Sequence, residues 1–142
     1  MKILIAVDGS EHSLDTVQYS IKHARWYREA LDVELLYVQP PLPYEGRAGA
    51  VVGQEQVRRY YQEEGEAALA KPRELLEAAG IHYTPHTLVG PVAESIVQLA
   101  KQLNCDQIVI GTHGMTAAAT VLMGSVATRV LSLSTIPVLL VR

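Results

Sequence analysis

Gly111, Gly114 and Gly124, the last followed by Ser125, lie between an apolar strand-like segment, Gln107-Ile108-Val109-Ile110, and a segment with helical spacing at Val126, Val130 and Leu133. In such a strand-to-helix connection, backbone N–H groups can surround an anion. Glycine suits it because it reaches positive φ without strain and lets a ligand approach the backbone closely. The start of the helix adds unpaired amides and the positive end of a dipole. The chemistry this favours is phosphate binding; the competing reading is a purely structural turn. The spacing, Gly-x2-Gly-x9-Gly-Ser, is neither G-x-G-x-x-G nor G-x-x-x-x-G-K-[ST], and no lysine follows the last glycine.

Asp8 closes the first apolar run, Ile3 to Val7, and precedes Gly9-Ser10. Two readings of it are open. As a ligand group it accepts from a ribose hydroxyl or an adenine amine, or stands near a metal. As a structural group it caps the next helix, whose dipole suits its charge. Ser125 either donates its hydroxyl to a phosphate or caps its helix, and the roles are compatible. His113 either touches phosphates and steers the loop or is a solvated surface histidine. His12, His23, His82 and His86 show no metal-ligand spacing, and one cysteine adds nothing. A protein-held structural metal is therefore not expected, whereas magnesium carried on nucleotide phosphates is compatible with the chain.

Catalytic groupings are thin. There is no G-x-S-x-G elbow, and Ser10 lacks an evident histidine partner. Glu63-Glu64 fall on a predicted exposed helix face and read as solvation. No lysine or arginine lies between Gly111 and Ala127, so nothing local neutralises a transferring phosphoryl group. The pattern favours binding over rapid turnover.

These residues sit in a chain of 142 residues, 49 % hydrophobic and 19 % charged, with net charge −3. That length and balance suit one folded domain spanning 1–142 with a real core. The charge, with Arg58-Arg59 the one adjacent basic pair, argues against nucleic acid as a partner. No apolar run approaches the roughly 20 residues of a membrane helix, and the N-terminal run is too short for a signal peptide. A lone cysteine, Cys105, fits a reducing cytoplasm.

The elements that must position the site follow from periodicity. Residues 2–8 read as a buried strand. Ser10 is the expected N-cap of a helix from Glu11 to about Ala30, with Leu14, Val17, Ile21 and Ala24 on its buried face, and Trp26 and Tyr27 as packing residues. Val33 to Val38 form the second strand. Residues 40–52, rich in proline and glycine, read as a loop that either folds over a ligand or is a surface excursion. A helix from about Gln54 to Ala79 is kinked or restarted at Pro72 and stopped by Gly80. Ile81 to Val89, containing Pro85, suits a sheet edge. Pro91 fits the first turn of the next helix, whose stripe is Val92, Ile96, Leu99 and Leu103. Asp106 to Ile110, a helix to about Ser134, and Pro137 to Arg142 complete the chain.

Strands alternating with helices predict an α/β fold, Rossmann-like and doubly wound, with five mostly parallel strands and helices on both faces. In the order 3-2-1-4-5 the winding reverses between the first and fourth strands. Ligands of such sheets bind at the carboxyl ends beside that reversal. There lie Asp8-Gly9-Ser10 and the glycine loop, so topology and spacing select the same crevice.

Ile5-Ala6-Val7-Asp8-Gly9-Ser10, Tyr37-Val38, Val89-Gly90-Pro91, Ile110-Gly111-Thr112-His113-Gly114, Gly124-Ser125-Val126-Ala127 and Pro137-Val138-Leu139-Leu140-Val141 together resemble the universal stress protein family, in its ATP-binding branch. The resemblance spans essentially the whole chain. It implies a Rossmann-like fold with strand order 3-2-1-4-5 and a cytoplasmic homodimer paired antiparallel through the C-terminal strand, residues 137–142. Met123 and the region 131–136 are candidates for further dimer contacts. It also implies ATP as ligand, with Ala6, Asp8 and Val38 lining the adenine and ribose site. Ile110 and Gly111 flank that site, while Gly114, Gly124, Ser125 and Val126 hold the phosphates and His113 lies in the same loop. Between Met115 and Met123 the chain is apolar with no basic residue, leaving phosphate affinity to amides and hydroxyls, with Arg47, Arg58 or Arg59 as outside sources of charge. The expected role is an adenine-nucleotide-binding stress or regulatory module. The alternatives are a slow ATPase or nucleotidyl-transfer enzyme, and a nucleotide-free dimeric interaction protein.

Overall fold

The computed structural model describes residues 1–43, 53–113 and 123–142. In chain order the elements are β1 (Lys2–Val7), α1 (Glu11–His23), a 3-10 turn (Ala24–Trp26), β2 (Asp32–Gln39), α2 (Gln54–Ala78), β3 (His82–Val89), α3 (Val92–Gln102), β4 (Gln107–Gly111), α4 (Ser125–Leu133) and β5 (Val138–Val141). The strands form one sheet in the order β3-β2-β1-β4-β5, every neighbouring pair parallel.

The pleat divides the core in two. Ile3, Ile5, Val7, Val33, Leu35 and Val109 point to the side covered by α1 and α2, where Val17, Leu69 and Leu76 meet them. Leu4, Ala6, Leu36, Val38, Ile108 and Ile110 point to the side covered by α3 and α4, where Ala93, Ile96, Val97, Ala100 and Val130 meet them. Both faces of the central strands are buried, which is why β1, β2 and β4 read as continuous apolar runs. Among the described residues no helix is long and apolar enough to cross a membrane.

Several boundaries differ from expectation. The first helix ends at His23, not near Ala30, because the chain tightens into a 3-10 turn and Tyr27 becomes extended. That turn lets the Tyr27 hydroxyl donate to Gln107 Oε1 at 3.2 Å. Trp26 is not a packing residue of the interior: it is 71 % exposed, with its ring edge-on to His23. The face that α1 buries is also turned from the predicted one. Ser13, Thr16, Val17 and Ser20 are buried, while Leu14, Ile21 and Ala24 are half-buried. Small side chains let the helix approach the sheet closely. The Ser13 and Ser20 hydroxyls remain satisfied by donating to the Ser10 and Thr16 carbonyls.

α2 runs through Pro72 without a restart. It ends as predicted at Gly80, whose φ of +66° only glycine adopts readily. Pro91 is the N-cap of α3 rather than its first helical residue. In α3 the buried stripe is Ala93, Ile96, Val97 and Ala100, with Val92, Leu99 and Leu103 packed at its margin.

Candidate functional site

The reversal of winding falls between β1 and β4, where Ala6 lies opposite Ile110. Ala6, Val38 and Ile110 are buried in one apolar cluster on the α3 and α4 side, and Val126 packs against its edge from the first turn of α4. Four of the residues expected to bind ligand are thus brought together from four different elements. All stand at the carboxyl end of the sheet.

Asp8 follows directly after β1. Its Oδ1 accepts from the Ser10 amide at 2.9 Å and from the Ser10 hydroxyl. Ser10 Oγ in turn accepts from the Ser13 amide at 3.2 Å. The carboxylate therefore supports the N-cap of α1 at one remove, as short polar side chains do when they bond two residues ahead. Gly9 sits between them at φ +82°, a conformation that other residues rarely adopt, and Ala68 of α2 packs beside it.

On β4, Gly111 does not adopt positive φ. A Cβ there would meet Thr16 Oγ1 at 3.4 Å and the His113 carbonyl oxygen at 3.5 Å, both ordinary contacts. The fold does not itself require glycine at 111. Beyond it, the Thr112 amide donates to the Val141 carbonyl at 2.9 Å, and the Thr112 carbonyl accepts from the Gly124 amide at 2.7 Å. These two bonds tie the start of the glycine loop to its end and to β5. His113 is half-buried, with Nδ1 2.9 Å from Thr112 Oγ1.

Gly124 is the N-cap of α4, so Ser125 is the first helical residue and does not cap the helix with its side chain. Ser125 is exposed. The first amides of a helix have no intrahelical carbonyl to bond, so the Ser125 and Val126 N–H groups face the carboxyl edge with the positive end of the α4 dipole. Gly114, the segment 115–122 and the loop 44–52 with Arg47 lie outside the described residues. Arg58 is exposed, and Arg59 Nε lies 3.3 Å from Glu63 Oε1, both partners well exposed.

Sequence reasoning missed two features of the rim. α2 leans over the ends of β1 and β2. Gln39 Nε2 donates to the Tyr61 carbonyl and the Leu42 amide donates to the Tyr61 hydroxyl, each at 2.9 Å. Burial, then the charges of Glu64, Tyr60 and Asp8, push the Tyr37 phenol above its ordinary range. Opposite, Arg129 Nε of α4 donates to Glu94 Oε1 of α3 at 3.0 Å. Helical spacing gives no sign of which exposed residues meet across two helices, and neither contact had a signal in the sequence.

A doubly wound parallel sheet with a helix N-terminus beside its switch point is the arrangement at which ligands of α/β sheets bind. The profile of the universal stress protein family matches residues 1–142. The chain is 35 % identical over 141 residues to universal stress protein MJ0531 of Methanocaldococcus jannaschii, covering 99 % of this chain and 81 % of that one. It superposes on the solved structure of MJ0577 with a TM-score of 0.82 and 28 % identity, covering 99 % and 94 % of the two chains. A universal stress protein of Archaeoglobus fulgidus solved in complex with dAMP shares the fold, with a TM-score of 0.67 and 23 % identity over 100 % and 98 % of the chains. The chain belongs to the universal stress protein family.

Proposed function

We propose that this protein binds an adenine nucleotide, ATP, at the carboxyl edge of its sheet and acts as a stress-response module that responds to nucleotide occupancy rather than turning it over rapidly. The supporting observation is the convergence of Ala6, Val38, Ile110 and Val126 on one apolar cluster beside Asp8 and the N-terminus of α4. An apolar wall with a carboxylate on one side and helix amides on the other fits a base, a ribose and phosphates in that order. The relative solved with dAMP adds to this reading, since it is an adenine nucleotide complex of the same fold.

In this arrangement Ala6, Val38 and Ile110 line the base, and Asp8 accepts from the ribose while keeping its bond to Ser10. Gly111 leaves room beside the sugar. The Ser125 and Val126 amides receive the phosphates, and Gly114 and His113 contribute from the loop. Because the Gly124 amide is already engaged by Thr112, Gly124 serves as the bare N-cap that lets phosphate approach. Magnesium would be carried on the phosphates.

The test is to purify the protein without added nucleotide, precipitate it with acid and examine the supernatant by chromatography with mass detection. A near-stoichiometric adenine nucleotide, released in reduced amount by Asp8→Ala, is expected. An empty supernatant, with no thermal shift on adding ATP and magnesium, overturns the reading.

A further inference from the structure

Resting on the nucleotide reading above, we infer that Arg129 is the cation for the nucleotide phosphates, held by Glu94 until a ligand takes its place. No basic residue lies between Gly111 and Ala127, and Arg129 is the first to follow the glycine motif. It stands four residues after Ser125, one turn into α4 on the same helix face. Side chains on a helix lean toward its N-terminus, so the guanidinium is carried back toward the carboxyl edge.

Its partner confirms that height. Arg129 Nε reaches Glu94 Oε1 at 3.0 Å, and Glu94 lies in the first turn of α3. The first turns of α3 and α4 border the same apolar cluster, through Val92 and Val126. The Glu94–Arg129 pair therefore bridges two helix N-termini on the rim of the proposed site.

The pair is suited to exchange. Its side chains are 43 % and 57 % exposed, and ion pairs in such contact with water are weak. A phosphate offers more charge than one carboxylate, and a guanidinium can meet it with two N–H groups. Glu94 also has an anchor of its own. Its carboxyl is held below its usual range first by its own backbone N–H and then by Arg129. Released from Arg129, it keeps that amide and the α3 dipole. Ligand binding would thus open an ion pair between α3 and α4 without stranding a charge, giving nucleotide occupancy a structural consequence.

The experiment is calorimetric titration of the whole protein with adenosine, AMP and ATP, for the wild type, Arg129→Gln, Arg129→Lys and Glu94→Gln. Arg129→Gln is expected to weaken ATP by about tenfold while changing adenosine by less than about twofold. Arg129→Lys should recover part of the loss, and Glu94→Gln should tighten ATP by about threefold by removing the competitor. Both sites are exposed, and unchanged melting temperatures without ligand establish that the variants are folded. Equal ATP affinity for wild type and Arg129→Gln overturns the inference and leaves the nucleotide reading standing. Equal losses for adenosine and ATP also overturn it, since a phosphate cation cannot act on adenosine. Failure of the wild type to bind any of the three overturns both.

Discussion

Glu34 is a carboxylate inside the sheet, and its stability depends on two neighbours from different strands. It is 6 % exposed, its Oε2 2.6 Å from His86 Nε2 of β3 and its Oε1 3.6 Å from Lys2 Nζ of β1. A buried charge that loses its partner costs more than the pair was worth, while replacing both partners with apolar groups is often near neutral. His86→Leu alone should therefore destabilise the protein by about 2 kcal/mol, and Glu34→Leu with His86→Leu by less than either partner's loss would suggest. Urea unfolding of the two single variants and the double variant measures this; strict additivity would show that the pair is not coupled. The same carboxylate acts on Cys105. Burial, then the charge of Glu34, pushes the Cys105 thiol up to about 11 from 9.0. An acid whose pKa is raised by folding favours the native state below its unfolded value and loses that contribution as pH rises through the folded value. Between about pH 9 and pH 11 the wild type should lose stability relative to Cys105→Ala, read as a narrowing difference in denaturation midpoint. A pH-independent difference would mean that the thiol titrates alike in both states.

Among elements, α2 approaches β3 closely at Gly65. A Cβ at Gly65 would lie 2.6 Å from Thr87 Cγ2 and 2.9 Å from its Oγ1. Gly65→Ala should gain roughly 1 kcal/mol of helix propensity and lose more to overpacking, for a net loss of about 1 kcal/mol. Thr87→Ala in the same chain should restore it. If Gly65→Ala is stabilising by itself, β3 yields to the helix and the contact is soft. This contact illustrates what the sequence made legible. Alternation of β and α periods implies the doubly wound class, whereas the order 3-2-1-4-5, and with it the switch point, comes from the family resemblance, as does the naming of Ala6, Val38, Ile110 and Val126. The distance at which a helix lies on a sheet does not follow. Gly65 read as one more residue of a helical run, and the buried face of α1 differs from the predicted one because Ser13, Thr16 and Ser20 are polar by type yet buried, the Ser13 and Ser20 hydroxyls donating to backbone carbonyls one turn back. Pairings such as Glu34 with His86 are diagonal across strands and 52 positions apart; pattern reading within one strand has no access to them.

At the scale of the molecule, the sheet has two edges of different character. β3 contains Pro85, which has no N–H to offer, and its side chains are mostly exposed. β5 is short, apolar and half-buried. The Pro137 carbonyl accepts from Ile108 of β4, and the Val141 carbonyl from Thr112 just beyond β4. By strand alternation the N–H and C=O groups of Val138 and Leu140 then point outward. We propose that this outward row pairs antiparallel with that of a second copy, as the family resemblance implies; Leu131 of α4 is 41 % exposed. The edge is also joined to the site, because Val141 holds Thr112 and Thr112 holds Gly124 at the base of the glycine loop. Leu140→Pro removes one outward donor without touching the bonds that the Pro137 and Val141 carbonyls accept. It should shift the protein from dimer to monomer in sedimentation velocity at micromolar concentration, while the far-UV circular dichroism of the monomer stays native. If the wild type sediments as a monomer, the proposed pairing is wrong. If Leu140→Pro remains dimeric and folded, the dimer forms through another surface. Where the variant is monomeric, its ATP affinity carries a further consequence: a loss of about threefold or more would mean that pairing at β5 stiffens the Val141–Thr112–Gly124 chain at the base of the glycine loop.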